Sequence, residues 1–393
     1  MRPRLELNPT ATAPLEMAAI LKWLRARENA MARLVGRFVR AESPSYEKAA
    51  LDRLGQLVAD EWTHRGGKVT LLRQRHRGNH VRAEWRPRGG RAQGQLLVLG
   101  HLDTVYELGT LERMPFRIAQ GRAWGPGTFD MKGGLVIALF AVDALRALGR
   151  LPEKRIVFLW TSDEEIGSQS SRALIEREAR RSDAVFVLEP AAGLDGRVKT
   201  SRKGVGEIEL LATGCAAHAG LNPEDGINAI EEIAFQIGRI SKWNQPNRGI
   251  TVNPGVVEGG TRTNVIPDGA RVLVDLRAMR PSDMRALEQK FRALRPVLRG
   301  AKLEIRGGFN RPPMERKNNM ALYAKARDLA LELGFTLGET SVGGGSDGNF
   351  TSALGVPTLD GLGAVGEGAH SPGENIVIGK LPERAALLAG LWL

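Results

Sequence analysis

Short apolar runs alternate with segments of helical spacing along the first half of the chain. Three runs, at residues 95–99, 155–160 and 184–188, have strand length and are almost wholly apolar, which is typical of buried strands. Segments of helical pattern at 135–148 and 171–180 separate them. Because strands that alternate with helices form mostly parallel sheets, the pattern predicts an α/β fold whose mostly parallel sheet is flanked by helices.

The pattern changes after about residue 202, where the elements follow the order strand-helix-strand-strand-helix-strand. This order predicts a small α+β sandwich inserted as a second domain. We therefore expect a catalytic domain in two parts, residues 1–202 and 311–393, around an inserted lid and dimerisation domain at 203–310, with a linker at 309–313. The inserted elements are expected at 205–211, 228–240, 249–257, 271–279, 283–298 and 302–306.

The N-terminal part is expected to be mainly helical. Residues 15–39 have apolar positions at helical spacing, which predicts one long amphipathic helix or two short ones, packed on the core. Three histidines lie among arginines without an acidic residue at ligand spacing, so we interpret them as surface residues. They are His64, His76 and His80.

Composition narrows the class of protein. Of 393 residues, 42% are hydrophobic and 25% are charged, which is enough material for two globular domains. No apolar run reaches the roughly 18–20 residues of a membrane span, and the charged N-terminus lacks the apolar core of a secretory signal. The single cysteine, Cys215, excludes an internal disulfide framework and fits a reducing compartment. We therefore expect a cytoplasmic protein with no membrane partner.

The net charge of +12 suggests either a nucleic-acid partner or acidic small substrates. The arginines are scattered through helical patterns, without aromatic interleaving or a nucleic-acid-binding motif. We therefore expect no nucleic-acid partner, whereas an anionic substrate fits the charge.

Acidic residues and histidines follow the three buried runs. Taken singly, these positions also fit a solvated acidic loop, a buried His–Asp pair or a helix cap. Taken together, these residues are expected to converge at one edge of the sheet. A shared location favours a binding site, because parallel sheets bind ligands beyond the carboxyl ends of their strands. Nitrogen and oxygen donors without thiolates suit zinc, cobalt or manganese. The candidate ligands are His101, Asp130, Glu165, Glu189 and His370.

Five such ligands can serve two ions if one carboxylate is shared. Two metals roughly 3.5–4 Å apart can hold a bridging water, lower its pKa and polarise a carbonyl. A free carboxylate beside them would take the proton of that water and pass it to the leaving amine. Glu164, which precedes Glu165, is placed for this role. Asp103, two residues after His101, can accept the second imidazole N–H and fix the ring's tautomer.

The motifs occur in the order that characterises one enzyme family. The chain resembles the co-catalytic zinc metallopeptidases that include glutamate carboxypeptidase, aminoacylase, desuccinylases and dipeptidases, and it is most similar to the bacterial folate-cleaving glutamate carboxypeptidases. The resemblance spans about residues 95–380. It is carried by GHLDTV, GPGTFDMKGG, TSDEEIGS, LEP, AAHAG, TNVIP, DLR, GGGSDGN and GAHSPGE.

The resemblance implies a role for each matching residue. It implies that His101 and Glu189 bind one zinc, that Glu165 and His370 bind the other, and that Asp130 bridges them. Glu164 would be the general base, and Asp103 would orient His101. His218 matches a lid histidine that stabilises the oxyanion, usually from the partner subunit of a homodimer. The residues matching substrate-carboxylate contacts are Asn264, Arg277 and Arg311, and the loop with Gly345 can present backbone amides to an anion.

These observations predict a hydrolase with two Zn²⁺ per chain, or Co²⁺ or Mn²⁺ in their place. The expected reaction cleaves the amide between an acyl group or amino acid and a carboxylate-bearing amino acid, as in a glutamate carboxypeptidase. An N-acyl-amino-acid deacylase and an N-carbamoyl-amino-acid amidohydrolase are the alternative enzymes. A metal-binding relative without catalysis is disfavoured, because such a relative is expected to lose Glu164 or a ligand, and all of them are present.

Overall fold

The computed structural model describes residues 17–86, 92, 94–150 and 152–393. The N-terminal residues for which we expect no secretory signal lie outside this part. The strands are β1 (Lys68–Leu72), β2 (His80–Trp85), β3 (Gln95–His101), β4 (Arg117–Ala119), β5 (Arg122–Trp124), β6 (Arg155–Thr161), β7 (Ala184–Val187), β8 (Val198–Arg202), β9 (Gly204–Thr213), β10 (Thr251–Gly259), β11 (Gly269–Ala278), β12 (Lys302–Arg311), β13 (Glu339–Val342), β14 (Thr358–Leu359), β15 (Gly366–Glu367) and β16 (Asn375–Val377).

Helices cover the sheets and connect their strands. The helices are α1 (Met17–Arg25), α2 (Glu28–Arg40), α3 (Lys48–His64), α4 (Thr110–Arg113), α5 (Gly133–Ala147), α6 (Arg172–Ala179), α7 (Ala229–Ile240), α8 (Pro281–Arg292), α9 (Met320–Glu332), α10 (Gly348–Ala353) and α11 (Leu381–Trp392).

The central sheet has six strands in the order β1-β2-β6-β3-β7-β14. Strands β6, β3, β7 and β14 run parallel to one another, whereas β1 and β2 add an antiparallel edge. Every residue of β3 and β7 is buried, as expected for parallel strands covered on both faces. The predicted α/β class and mostly parallel sheet are confirmed.

The main hydrophobic core lies between this sheet and the helices on one of its faces. Helix α5 is apolar on nearly every side and buries most of its residues against α11, α2 and α1. Four aromatic rings pack together beside it, with the Trp62 and Phe158 ring centres 4.0 Å apart and Trp160 and Trp392 next to them. This packing makes a rigid base for the loops at the carboxyl ends of β3, β6 and β7.

Strands β9 to β12 form a separate antiparallel sheet in the order β10-β11-β9-β12, with its own hydrophobic core. Buried and more exposed residues alternate along β9 and β11, because one sheet face packs against α7 and α8. The Asn228 side chain caps α7 by accepting hydrogen bonds from Ile230 N and Glu231 N. The observed element order matches the one expected for the inserted segment.

Two element boundaries differ from the sequence-based expectations, whereas the N-terminal helical pattern agrees with one of them. The first helical pattern forms two helices, α1 and α2, which is one of the two expected forms. Helix α8 ends at Arg292 and not near residue 298, because the Glu232 carboxylate accepts hydrogen bonds from the amides of Val297 and Leu298. Strand β12 continues to Arg311, so much of the expected linker is strand.

Among the described residues, no helix has both the length and the apolar composition needed to cross a membrane.

Candidate active site

The predicted metal ligands converge at the carboxyl edge of the central sheet. His101 is the last residue of β3, Glu165 lies in a helical turn directly after β6, and Glu189 follows β7 by two residues. Asp130 lies in the turn before α5, and His370 lies in the loop between β15 and β16. The parallel arrangement of β6, β3 and β7 therefore brings together residues that are far apart in the sequence.

The two carboxylate oxygens of Asp130 face different histidines. Asp130 Oδ1 is 3.1 Å from His101 Nε2, and Asp130 Oδ2 is 3.4 Å from His370 Nε2. Glu189 Oε1 is 3.5 Å from His101 Nε2, and Glu165 Oε1 is 3.2 Å from His370 Nε2. Two donor groups result, each with one imidazole nitrogen, one oxygen of Asp130 and one further carboxylate.

These carboxylates are crowded and shielded from water. Burial, together with the charge of Asp130, raises the pKa of Glu189 to about 7. Burial also raises the pKa of Glu165. The hydrogen bonds of His370 to Asp130 and Glu165 raise its pKa to about 10. Buried anions that pull protons onto neighbouring imidazoles have the chemistry of a divalent-cation site, so the donor set fits the two metals expected.

Asp103 supports the turn that carries the two adjacent glutamates. Its fully buried carboxylate accepts hydrogen bonds from Glu164 N at 3.2 Å, Glu165 N at 3.1 Å and Ser45 Oγ at 2.9 Å. His101 Nδ1 lies 2.9 Å from the backbone oxygen of Asp103 and 3.5 Å from its carboxylate. Asp103 thus lies beside the imidazole, with its backbone oxygen as the nearer acceptor, and its carboxylate also positions the turn that carries Glu164 and Glu165.

Glu164 lies between the cluster of predicted metal ligands and Arg311. Its Oε1 accepts a hydrogen bond from Arg311 Nη2 at 3.0 Å, and a Glu164 oxygen also lies within 4.8 Å of donor atoms of His101 and Glu189. Burial raises the pKa of Glu164 well above its usual range, although the charge of Arg311 opposes that shift. The geometry therefore allows a proton-transfer role and also admits Glu164 as a ligand.

Arg311, at the end of β12, is buried and forms hydrogen bonds with the turn that carries Glu164 and Glu165. It donates to Asp347 Oδ1 at 2.9 Å, Ser168 Oγ at 3.0 Å and Glu164 O at 2.8 Å. The structure therefore shows Arg311 bound to protein acceptors at the edge of the site. Gly345 packs on it closely, because an added Cβ at Gly345 would lie 3.0 Å from Arg311 Cδ.

The other candidate residues lie on the inserted segment. His218 is in an exposed turn, where its Nδ1 accepts hydrogen bonds from Gly220 N and Leu221 N, both at 3.1 Å. Asn264 is next to this turn, since Ala219 N donates to its backbone oxygen. Arg277 pairs with Asp275 at 2.8 Å. Within the described part of the chain, no hydrogen bond or ion pair joins these candidates to the metal-binding cluster.

Comparison with known proteins identifies the family. Residues 97–393 match the profile of Peptidase family M20/M25/M40. The chain is 33% identical to carboxypeptidase G2 of Pseudomonas sp. (strain RS-16) over 80% of this chain and 76% of that protein. The chain belongs to Peptidase family M20/M25/M40.

Two further relatives agree with this assignment. The chain is 28% identical to succinyl-diaminopimelate desuccinylase of Dechloromonas aromatica (strain RCB), over 79% of this chain and 85% of that protein. The crystal structure of aminopeptidase PepT from Bacillus cereus ATCC 10987 has the same fold, with a TM-score of 0.77 and 21% identity over 93% and 97% of the two chains. Because it belongs to this family, the protein is an enzyme of a metal-dependent peptidase class.

One residue of this M20/M25/M40 enzyme was interpreted wrongly from the sequence. His80 is fully buried and not on the surface. Its Nδ1 is 3.2 Å from Ser162 N, and its Nε2 is 3.2 Å from Ser170 Oγ. His80 therefore contacts both ends of the turn that carries Glu164 and Glu165. Burial lowers the pKa of His80, which favours the neutral ring. The sequence around His80 does not mark this role, because its partners Ser162 and Ser170 lie in a distant segment between β6 and α6.

The sequence interpretation also missed Glu374 of the GAHSPGE motif. This fully buried carboxylate accepts backbone hydrogen bonds from Gly127 N at 3.1 Å, Phe129 N at 2.8 Å and Asp130 N at 2.9 Å. The Tyr106 hydroxyl donates to it at 2.6 Å. Glu374 therefore holds the backbone of the turn that presents Asp130 to both donor groups. Its place four residues after His370 was the available sequence signal.

Proposed function

We propose that the protein is a dizinc hydrolase that cleaves the amide bond to a carboxylate-bearing amino acid and releases that amino acid from the C-terminal side. The observation that carries the proposal is the division of the Asp130 oxygens between two histidines, because this gives two donor groups that share one carboxylate. Similarity to carboxypeptidase G2 supports the carboxypeptidase reaction.

One zinc ion would be held by His101 and Glu189, and the other would be held by Glu165 and His370. Asp130 would be a ligand of both ions. Bound there, the ions would supply Lewis-acid polarisation of the scissile carbonyl and acidify the attacking water. Cobalt and manganese accept the same nitrogen and oxygen donors.

Glu164 is the proposed general base. Its burial raises its pKa, and a base works best when its pKa lies close to the operating pH. In the proposed reaction the Glu164 carboxylate takes a proton from the attacking water and then delivers it to the leaving nitrogen. Arg311 Nη2, 3.0 Å from Glu164 Oε1, keeps that carboxylate oriented. Asp103 would orient both His101 and the turn that carries Glu164.

The substrate carboxylate would bind on the side of the site that faces the inserted segment. The proposed contacts are Arg311, Arg277 and Asn264, together with the loop at Gly345, which packs closely against Arg311. Guanidinium groups suit this task because they bind carboxylates with two parallel hydrogen bonds. A deacylase that removes an N-acyl group from an amino acid is the second candidate, and similarity to the desuccinylase of Dechloromonas aromatica favours it.

An activity panel tests the proposed reaction. The zinc-loaded protein is expected to hydrolyse N-acyl or N-aminoacyl derivatives of glutamate or aspartate, with chelation abolishing turnover and zinc restoring it. Substrates whose C-terminal carboxylate is blocked as an amide are expected to lose about 10²-fold or more in kcat/KM, because the carboxylate contacts would be left unpaired. Faster cleavage of the blocked substrates would contradict carboxylate recognition.

We also propose a homodimer formed through the inserted segment. Strand β10 is an edge strand of its sheet, and its Val256 and Val257 are exposed, as are Ile230 and Phe235 of the neighbouring α7. An exposed edge strand beside apolar side chains is a suitable surface for pairing with a second copy. In the dimer, His218 of one subunit would serve the site of the other and stabilise the oxyanion.

We also propose a cytoplasmic location. The exposed free thiol of Cys215 supports it, because free thiols persist in a reducing compartment.

Mixing two inactive variants tests this donation. His218→Ala chains and Glu164→Gln chains are each expected to be nearly inactive. After subunit exchange at equal amounts, activity is expected to recover to roughly a quarter of the parent, because half of the dimers are mixed and each contains one intact site. Mass spectrometry of the intact dimers verifies the exchange. Verified exchange without recovered activity would mean that His218 acts within its own chain or has no catalytic role.

A further inference from the structure

A cavity of about 670 Å³ opens beside the metal-binding cluster. Glu165 and the following Ile166 form one wall, and the segments around Tyr46 and Val105 form the others. The volume lies in the range of small-molecule sites. Because the carboxylate of Glu165 belongs to the donor group of His370, the cavity borders the cluster of predicted metal ligands.

Apolar side chains line this cavity without being covered by the protein. Tyr46 is 70% exposed, Val105 is 45% exposed and Leu108 is 49% exposed, and all three line the cavity. Exposed apolar groups clustered in a concave surface usually mark a place where a ligand covers them. The cavity is therefore suited to an apolar group.

The walls are held in place by buried hydrogen bonds. Ser45, next to Tyr46, donates to the Asp103 carboxylate at 2.9 Å. The Glu42 carboxylate accepts from Gly109 N and Leu111 N, both at 3.0 Å, and so anchors the loop that carries Leu108. A cavity whose walls are already ordered binds its ligand without the cost of arranging them.

All the charged residues that line the cavity are acidic: Glu47, Glu107 and the ligand Glu165. In the described part of the chain, neither Glu47 nor Glu107 has a cation within ion-pair distance. The guanidinium of Arg77 stacks on Tyr46, 5.0 Å from the ring centre, but Arg77 does not line the cavity. Unpaired carboxylates at the walls repel an anionic group.

The cavity and Arg311, one of the proposed contacts for the substrate carboxylate, meet different residues of the same turn. Arg311 contacts the turn at Glu164 and Ser168, whereas the cavity borders the turn at Glu165 and Ile166. With the substrate amide at the cluster, the proposed function puts its carboxylate-bearing part on the arginine side. Its acyl part then extends towards Val105 and Leu108.

We infer that this cavity is the acyl-binding subsite and that it selects a large, uncharged, apolar acyl group over a small or anionic one. The inference rests on the proposed amide-hydrolase function and adds to it the class of acyl group. An unbranched acyl chain would lie against Leu108 and Val105 and displace water from them. A terminal carboxylate in the same place would meet Glu47 and Glu107.

Four N-acyl glutamates that differ only in the acyl group test the selection. With the zinc-loaded parent protein, kcat/KM is expected to be at least about 10-fold higher for hexanoyl than for acetyl, since a single methylene in a matching apolar pocket can contribute about that factor. Benzoylglutamate is expected to follow hexanoylglutamate, and succinylglutamate is expected to be the poorest. Equal rates for hexanoyl and acetyl, or faster cleavage of succinyl, would overturn the inference.

Two variants test whether the residues of the cavity cause the selection between acyl groups. Leu108→Ala is expected to reduce the preference for hexanoyl over acetyl several-fold, while Leu194→Ala, at an equally exposed leucine outside the cavity, should leave it unchanged. Glu107→Gln is expected to raise the ratio of kcat/KM for succinylglutamate to kcat/KM for acetylglutamate several-fold. Unaltered selectivity in both cavity variants would place the acyl group elsewhere.

The outcome also separates this inference from the proposed function. If none of the four amides is cleaved by a protein that contains its metals, the hydrolase proposal fails, and the acyl-subsite inference fails with it. If all four are cleaved with similar kcat/KM, the hydrolase proposal stands and the acyl-subsite inference alone is wrong.

Discussion

Replacing Glu164 with glutamine is expected to lower kcat by about 10²–10⁴-fold, because the variant lacks the group that moves the proton. Glutamine keeps the length of the side chain, and its amide oxygen can still accept the hydrogen bond from Arg311 Nη2. Steady-state kinetics on the best amide of the panel and elemental analysis of the same preparation provide the measurement. The zinc content is expected to equal that of the parent.

The adjacent glutamate provides the control. Glu165→Gln is expected to weaken zinc binding, because Glu165 Oε1 faces His370 Nε2 at 3.2 Å and belongs to that donor group. The distinction matters because a Glu164 oxygen also lies near the donors of His101 and Glu189. Zinc loss from Glu164→Gln with retention in Glu165→Gln would show that the two roles are exchanged. Substantial activity in Glu164→Gln would exclude it as the base.

Asp130→Ala is expected to remove both metal ions and with them all measurable turnover. The reason is geometric, since Asp130 is the one predicted ligand whose two oxygens face both histidines, at 3.1 Å and 3.4 Å. Elemental analysis is expected to find two zinc ions per parent chain and essentially none in the variant. Circular dichroism spectra of the parent and the variant, both stripped of metal, check that the fold persists.

A surface aspartate serves as the matched control for this substitution. Asp195 is exposed in a turn and pairs only with Arg197 among the described residues, so Asp195→Ala is expected to keep both ions and full activity. Retention of one ion by Asp130→Ala would show that one donor group binds its ion without the shared carboxylate. A fully active parent with a single ion would contradict the two-metal proposal itself.

The sequence alone determined the fold class and the set of predicted metal ligands, which the structure brings close together. Buried parallel strands require continuous apolar runs, so β3, β6 and β7 could be recognised without other information. Polar residues that directly follow such runs must lie at one edge of the sheet. His101, Glu165 and Glu189 were predicted on that physical basis. His218, Asn264 and Arg277 followed only from family resemblance, and their roles stay predictions.

Supporting contacts depended on packing between distant segments. Glu374 binds the amide of Asp130 across 244 residues of sequence, and His80 reaches Ser162 across 82. Such contacts leave no periodic pattern in the sequence. A hydrogen bond requires only that its two groups meet, and it places no requirement on the neighbouring residues. A pattern along the chain therefore predicts which face of an element is buried, but not which partner a buried polar group will find.

The orientation of side chains around the cluster was likewise decided by tertiary structure. The sequence placed Asp130 among the ligands, but only the fold of its turn, held by Glu374, directs its two oxygens to different histidines. Arg311 was expected in a linker, yet β12 extends to it and delivers it to Glu164. Sequence determined which donors are available, because strand ends are local features. Tertiary structure decided how they face one another, because that depends on backbone segments meeting from separate parts of the chain.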